Sequence, residues 1–309
     1  MYLVTGGAGF IGSNIVRALV KGGKKVRELD DFSTGRRENL SGLEEVEVIE
    51  GSLLDRRRLE KALSGVRYVL HQAAIPSVPR SVADPLSSNE VNVTGTLNLL
   101  EAAKKTGVER FVYAASSSAY GDTEVLPKRE SMPADPLSPY AIGKYTGELY
   151  ARVYAHIYGL PTVSLRYFNI FGPRQDPASE YAAVIPKFIL NMLEGKAPVI
   201  YGDGEQSRDF TYIANAVEAN LLACTSTRVG EGEVINVACG ERYTLNELVK
   251  ALNEIMGTEI EPVYTGPRPG DVKHSQADIA KAKKLLGFEV KVGFKDGLKR
   301  TVEWFRNQI

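Results

Sequence analysis

Residues 4–14, VTGGAGFIGSN, constrain the fold more than any other stretch of the 309-residue chain. The run MYLVT leads into them as a buried strand, and residues 10–22 carry helical spacing. Gly6, Gly9 and Gly12 therefore fall in a turn between a strand and a helix. Such a turn needs residues without a Cβ. It leaves backbone N–H groups at the positive end of a helix, where they favour a phosphate. The alternation continues downstream. Strands are expected at 2–5, 25–30, 46–50, 67–71, 110–115 and 161–166, and helices at 10–22, 56–64, 84–106 and 138–158. This order predicts an α/β fold: a doubly wound, mostly parallel sheet with helices on both faces.

The second strand ends in Asp30-Asp31, eighteen residues beyond Gly12. An acid at that distance can accept hydrogen bonds from the ribose hydroxyls of a dinucleotide. It would also repel a 2′-phosphate, so the expected cofactor is NAD. Arg36 and Arg37 follow closely and keep NADP open as the alternative.

After residue 167 Pro, Gly and charged loops separate shorter elements, with helices expected at 181–195, 213–224, 244–256 and 294–308. The expected organisation is a dinucleotide-binding Rossmann domain over 1–167 and a smaller α/β substrate lobe over 168–309. About 211–237 is expected to return and pack on the first domain. Balanced charge, 38 basic against 38 acidic residues, gives no global field for nucleic acid or membrane. No apolar run reaches bilayer length, and the first residues already read as a strand rather than a signal peptide. A cytoplasmic protein is expected. Cys224 and Cys239 sit among apolar residues and read as core, and no metal site is expected.

In SPYAIGKYTGELY (138–150), Tyr140 stands four residues before Lys144 in a helical segment. Both would share one helix face. The pair by itself recurs by chance. Upstream, the fifth strand ends in YAASSSAYG (113–121), so Ser116, Ser117 and Ser118 would lie at a strand carboxyl end, where ligands bind in such sheets. A phenol has a pKa of about 10 and becomes a base at neutral pH only if nearby positive charge favours phenolate. Lys144 would supply such charge.

Gly-x-x-Gly-x-x-Gly at 6–12 with Tyr-x-x-x-Lys at 140–144 resembles the short-chain dehydrogenase/reductase superfamily. Length and second lobe place the resemblance in the extended branch, the NAD-dependent nucleotide-sugar epimerases and dehydratases. The resemblance implies catalytic roles for Tyr140, Lys144 and a serine. The Tyr120-Gly121 pair selects Ser116, with Ser117 as the alternative. It implies cofactor contacts from Gly6, Gly9, Phe10, Ile11, Gly12, Asp30, Asp31, Phe32, Ser33, Thr34 and Gly35. Further contacts are implied for Ser52, Leu53, Gln72, Ala73, Ala74, Asn92 and Phe168. At 51–52 the chain has Gly-Ser where the family often has Gly-Asp, which leaves the adenine contact weaker or to the backbone.

On the substrate side the resemblance implies contacts from Ser116, Ser117, Tyr140, Asn169, Val184, Lys187 and Tyr201, the last able to stack on a uracil. Arg208 and Arg268 are implied diphosphate clamps and Asp271 a ribose acceptor. Ala214-Asn215 stand where relatives often carry an acid, which leaves the neighbouring loop's anchor open. The loop SSSAY lacks the carboxylates of related dehydratases and decarboxylases, which leaves the UDP-hexose 4-epimerase pattern. Ser275, four residues after Asp271, would wall the hexose pocket; a small wall leaves room for an N-acetyl group. UDP-Glc/UDP-Gal and UDP-GlcNAc/UDP-GalNAc are the expected substrates. Another nucleotide-sugar enzyme on the same scaffold, such as a reductase, and a non-catalytic NAD sensor are the alternatives. A homodimer through helices 84–106 and 138–158 is implied as well.

Overall fold

The computed structural model describes residues 1–176, 183–266 and 272–308. Among them, seven strands form one parallel sheet: β1 (Tyr2–Thr5), β2 (Val26–Asp30), β3 (Glu47–Glu50), β4 (Tyr68–His71), β5 (Arg110–Ser116), β6 (Thr162–Tyr167) and β11 (Glu231–Val237). Their spatial order is β11-β6-β5-β4-β1-β2-β3, every neighbouring pair being parallel. The order reverses between β1 and β4. That switch point opens a crevice at the strands' carboxyl ends.

Successive residues of a strand point to opposite faces, and the two cores follow that alternation. Leu3, Val69, Phe111 and Tyr113 face α2 (Arg56–Leu63), α5 (Thr96–Lys105) and α6 (Pro139–Tyr158). Val4, Leu70, Val112 and Val163 face the other way, toward α1 (Phe10–Lys21) and α8 (Ile213–Thr225). Two short helices follow β4: α3 (Val78–Ala83) and α4 (Pro85–Asn89). The expected helix over 84–106 is α4 and α5 joined by a π-helical turn at Glu90–Gly95.

The remaining elements pair in short ribbons: β7 (Ile170–Phe171) with β10 (Thr211–Tyr212), β9 (Ser207–Arg208) with β12 (Tyr243–Thr244), and β8 (Val199–Tyr201) with β13 (Val263–Thr265). Helices α7 (Val184–Leu193), α9 (Leu245–Met256), α10 (Ala280–Leu286) and α11 (Phe294–Arg306) complete this half. A capping box starts α9: Thr244 Oγ1 accepts from Glu247 N, and Glu247 accepts from Thr244 N at 2.7 Å. Asn215 anchors the loop left open above. Its Oδ1 accepts from Lys291 N and Val292 N at 3.1 Å, and its Nδ2 donates to Val292 O at 2.7 Å. The buried Asp209 accepts three backbone N–H groups, from Cys239, Gly240 and Ala277. No helix among the described residues is long and apolar enough to cross a membrane.

Candidate active site

A cavity of about 750 Å³ fills the crevice beyond β1 and β4. The glycine turn forms its floor. Gly6 has φ +69°, and a Cβ there would lie 2.6 Å from Ala73 N; one on Gly12 would lie 2.0 Å from Gly6 O. Only glycine fits at either position, and the backbone surface so exposed is what a pyrophosphate needs. Fully buried His71 holds the two strand ends together. Its Nδ1 is 2.7 Å from Thr5 Oγ1 and its Nε2 is 3.0 Å from Thr96 Oγ1. Burial, then the charge of Lys144, push its pKa down to about 3, so it stays neutral.

Residues 30–35 form the side wall. Asp30 braces the turn: Oδ2 accepts from Ala8 N and Oδ1 from Phe32 N, both at 2.9 Å. Asp31 accepts from Ser33 N at 2.9 Å and from Ser33 Oγ at 2.6 Å. Arg36 and Arg37, the residues that kept NADP open, are both paired with carboxylates, Arg36 with Asp176 at 3.0 Å and Arg37 with Glu50 at 2.6 Å. Glycine turn, acidic wall and paired arginines fit NAD. Ser52 and Leu53 also line the cavity, and Ser52 Oγ accepts from Leu54 N at 3.2 Å.

The far wall comes from α6, β5 and β6. Ser138 caps α6 by accepting from Ala141 N at 3.1 Å, and Pro139 occupies its first turn. The cap fixes where Tyr140 and Lys144 emerge. Gly147 lets the helix settle on Tyr113: a Cβ there would lie 2.3 Å from the Tyr113 hydroxyl. Tyr113 donates to Lys144 O at 3.1 Å, and the Lys144 amine stands 4.8 Å from the Tyr113 ring centroid. Tyr140 and Lys144 thus both face the cavity.

Their protonation differs from the expectation. Burial raises the Tyr140 phenol above its ordinary value, and a hydrogen bond from Ser116 draws it back only in part. Burial pushes Lys144 down to about 7. In the ligand-free chain desolvation outweighs the attraction between ammonium and phenolate, because both charged forms are stripped of water. Ser116 Oγ accepts from Ser118 Oγ at 2.8 Å and from Ser118 N at 3.2 Å. The Ser118 hydroxyl thus bonds that of Ser116, and Ser116 in turn is near enough to Tyr140 to favour its phenolate.

Gly6, Gly9, Phe10, Ile11, Gly12, Gln72, Ala73 and Ala74 line the cavity as the sequence suggests. Asn92 and Phe168 do not. Asn92 is buried behind the wall, where Oδ1 accepts from Ile75 N at 2.8 Å and Nδ2 donates to Ile75 O at 3.1 Å. It shapes the loop that lines the cavity. Phe168 is fully buried beside Tyr120 and Ala238.

Of the other expected substrate residues, the described ones are not among the cavity's lining. Ser117 opens a 3-10 turn, and Asn169 takes φ +34° between β6 and β7. Val184 and Lys187 are half-buried on α7, and Tyr201 ends β8 with 37% exposure. Arg208 donates to Ser207 O at 3.0 Å and Lys273 O at 3.2 Å. Ser275 is buried and its N–H donates to Ser207 O at 3.0 Å. Arg268 and Asp271 fall outside the described residues. Asn39, Arg80 and Arg174 also line the cavity. Nothing in their local sequence marked them, since Arg80 stands on the short α3 and Arg174 on a loop.

Comparison with known proteins agrees with this geometry. Residues 2–238 match the model of the NAD dependent epimerase/dehydratase family. The chain belongs to that family. The structure of UDP-N-acetylglucosamine 4-epimerase from Methanobrevibacter ruminantium, in complex with UDP-N-acetylmuramic acid, is 44% identical. Its TM-score is 0.95, over 100% of this chain and 98% of that one. UDP-glucose 4-epimerase from Thermotoga maritima, with UDP-glucose, is 43% identical with a TM-score of 0.95, over 99% of each chain. UDP-glucose 4-epimerase of Thermus thermophilus, in complex with NAD, is 40% identical with a TM-score of 0.91, over 100% and 99%. Members named as a decarboxylase and a dehydratase also match, at 34% identity. The family's NAD-binding Rossmann fold thus extends to this chain.

Proposed function

We propose that the protein is a UDP-hexose 4-epimerase that uses NAD and interconverts sugar epimers through a transient 4-keto sugar. The observation that carries this reading is Tyr140 beside Lys144 on the wall of the glycine-floored cavity, with Ser116 near enough to favour the Tyr140 phenolate. NAD, when bound, supplies the hydride acceptor and donor for the sugar carbon. The glycine turn holds its pyrophosphate, and Asp30 and Asp31 meet its adenosine ribose. Tyr140 takes the proton of the sugar O4 and later returns it. Ser116, which favours the Tyr140 phenolate, orients that hydroxyl, and this favours Ser116 over Ser117 as the catalytic serine. Lys144 titrates near neutrality, and its ammonium form favours the phenolate of Tyr140. The segment 116–120, SSSAY, holds no carboxylate that could act as the extra acid or base of a dehydration.

On the substrate side, Asn169, Val184, Lys187, Tyr201, Arg208, Arg268 and Asp271 are assigned to the UDP moiety, and Ser275 to the hexose wall. The small Ser275 side chain supports acceptance of N-acetylated sugars. The cofactor is assigned mainly to 1–167 and the UDP moiety to 168–309, with about 211–237 returning to the first lobe as α8 and β11. The exposed apolar side chains Val82, Leu86, Ile142 and Ile157 (52–82% exposed) on α3, α4 and α6 support a homodimer built on these helices.

Incubation with UDP-Glc and, separately, UDP-GlcNAc without added cofactor, read by proton NMR, tests the reaction. Formation of the 4-epimer is the expected result. No epimer from any of the four sugars with NAD supplied would overturn the assignment.

A further inference from the structure

Behind the wall that carries Tyr140 lies a buried ion pair that the chemistry above does not use. Glu148 stands on α6, one turn beyond Lys144, so residues 140, 144 and 148 follow one face of the helix. Arg166 stands on β6. Its Nε donates to Glu148 Oε2 at 2.8 Å and its Nη2 to Glu148 Oε1 at 2.7 Å. Both side chains are 4–5% exposed. Two parallel bonds of this kind fix both position and orientation.

The pair reaches the other side of the site through Tyr120. The Arg166 guanidinium lies 4.5 Å from the Tyr120 ring centroid. Tyr120 ends the 3-10 turn that begins after Ser116. Its hydroxyl donates to Asn236 Oδ1 at 2.7 Å. Asn236 lies beside Arg166 in the sheet, and Arg166 beside Ala115, the residue before Ser116. Asn236 is held in turn by Lys128 O at 3.0 Å and by Glu130, which accepts from its N–H at 2.8 Å. One ion pair therefore grips the helix that presents Tyr140 and the turn that presents Ser116.

A charged pair this deep is costly in water lost, and apolar residues of similar volume would serve stability as well. Packing alone does not explain it, whereas directional control of two separate elements does. We propose that Glu148 and Arg166 are positioning residues that set the placement of Ser116 against Tyr140, acting through α6 on one side and Tyr120 on the other. The proposal rests on the catalytic reading of Tyr140.

The test uses the full chain loaded with NAD. Removing one partner would strand a buried charge and endanger folding, so the main variant replaces both, Glu148→Met with Arg166→Met. Tyr120→Leu removes the ring that transmits the restraint. Three readouts are taken: kcat and KM for the UDP-sugar, bound NAD per chain, and the ultraviolet titration of Tyr140, obtained by difference from Tyr140→Phe. Lys144, one turn along the same helix, and Tyr113 on β5, which interacts with Tyr140, remain in both variants, as do the charged residues that line the same cavity, Asp30, Asp31, Arg36, Arg80, Arg174 and Asp176.

The expected result is a loss in kcat of about 10- to 100-fold, the scale of a displacement near 1 Å, with KM and NAD content unchanged. The titration of Tyr140 should move upward in both variants, toward that of Ser116→Ala. A wild-type titration of Tyr140 in folded double variant would overturn the proposal. The two failures are separable. A wild-type chain that epimerises no UDP-sugar refutes the substrate reading, while the titration still decides whether the pair sets Tyr140.

Discussion

Replacing Glu28 by methionine should stabilise the ligand-free fold, by an amount that depends on pH. Glu28 lies in the middle of β2 with no exposed surface, and neither carboxylate oxygen has a hydrogen-bond partner. It lies beneath Gly7, where a Cβ would come within 2.7 Å of Glu28 Cβ and 2.9 Å of its Oε2. Burial, then the nearby Asp30, raise its pKa from 4.5 to about 8, against a smaller opposing effect of Arg37. The folded chain therefore holds a proton that the unfolded chain releases above pH 4.5. Stability falls as pH rises through that window and levels off above about 8. At about 1.4 kcal/mol per unit, the offset between 4.5 and 7 costs about 3 kcal/mol. Glu28→Met removes the titration, so its advantage over wild type should grow by about that much between pH 4.5 and 7. Urea unfolding of both proteins at pH 5, 7 and 9 measures it. An advantage that is constant across the three pH values would refute the reasoning, since it would mean that Glu28 keeps an ordinary pKa.

Ser116→Ala should lower kcat by about 10²-fold or more while Ser117→Ala leaves most of it, because Ser116 and not Ser117 favours the Tyr140 phenolate; equal losses in initial-rate assays would contradict this. Ser275→Tyr should abolish turnover of UDP-GlcNAc and spare UDP-Glc, and equal loss of both by NMR would remove the gate. Leu86→Glu with Ile157→Glu should give a monomer by sedimentation, as these side chains are 82% and 69% exposed on the proposed dimer face; an unchanged mass would place the interface elsewhere.

Six of the strands of the large sheet were legible because they are short apolar runs between helices, and each falls within one residue of its expected bounds. The seventh, β11, reads EGEVINV and carries a register shift between Glu231 and Glu233. Its place depends on parallel pairing with β6, more than sixty residues away, a contact no local pattern announces. The helices α3 and α10 span six and seven residues, too short for a periodic signal. The glycine turn, the Tyr140–Lys144 pair and the acids at 30–31 were legible because each rests on spacing within a single strand–turn–helix or a single helix turn. Asn92 and Phe168, expected as cofactor contacts, are not among the cavity's lining residues: Asn92 bonds Ile75 and Phe168 packs beside Tyr120 and Ala238. Spacing says which residues are near one another, not which side of a loop a side chain takes.

By itself the sequence determined the order of elements, the dinucleotide turn and the residues that could carry proton transfer. Those are local matters of φ, Cβ and helical period. The charge states were decided by the tertiary structure. Tyr140 is raised rather than lowered, Lys144 falls to about 7, and Glu28 is held protonated near neutrality. Desolvation is a sum over every neighbour that displaces water, and those neighbours come from strands and helices far apart in the chain. The same holds for Glu148 and Arg166, eighteen residues apart, whose pairing links two walls of the site only once the sheet has formed.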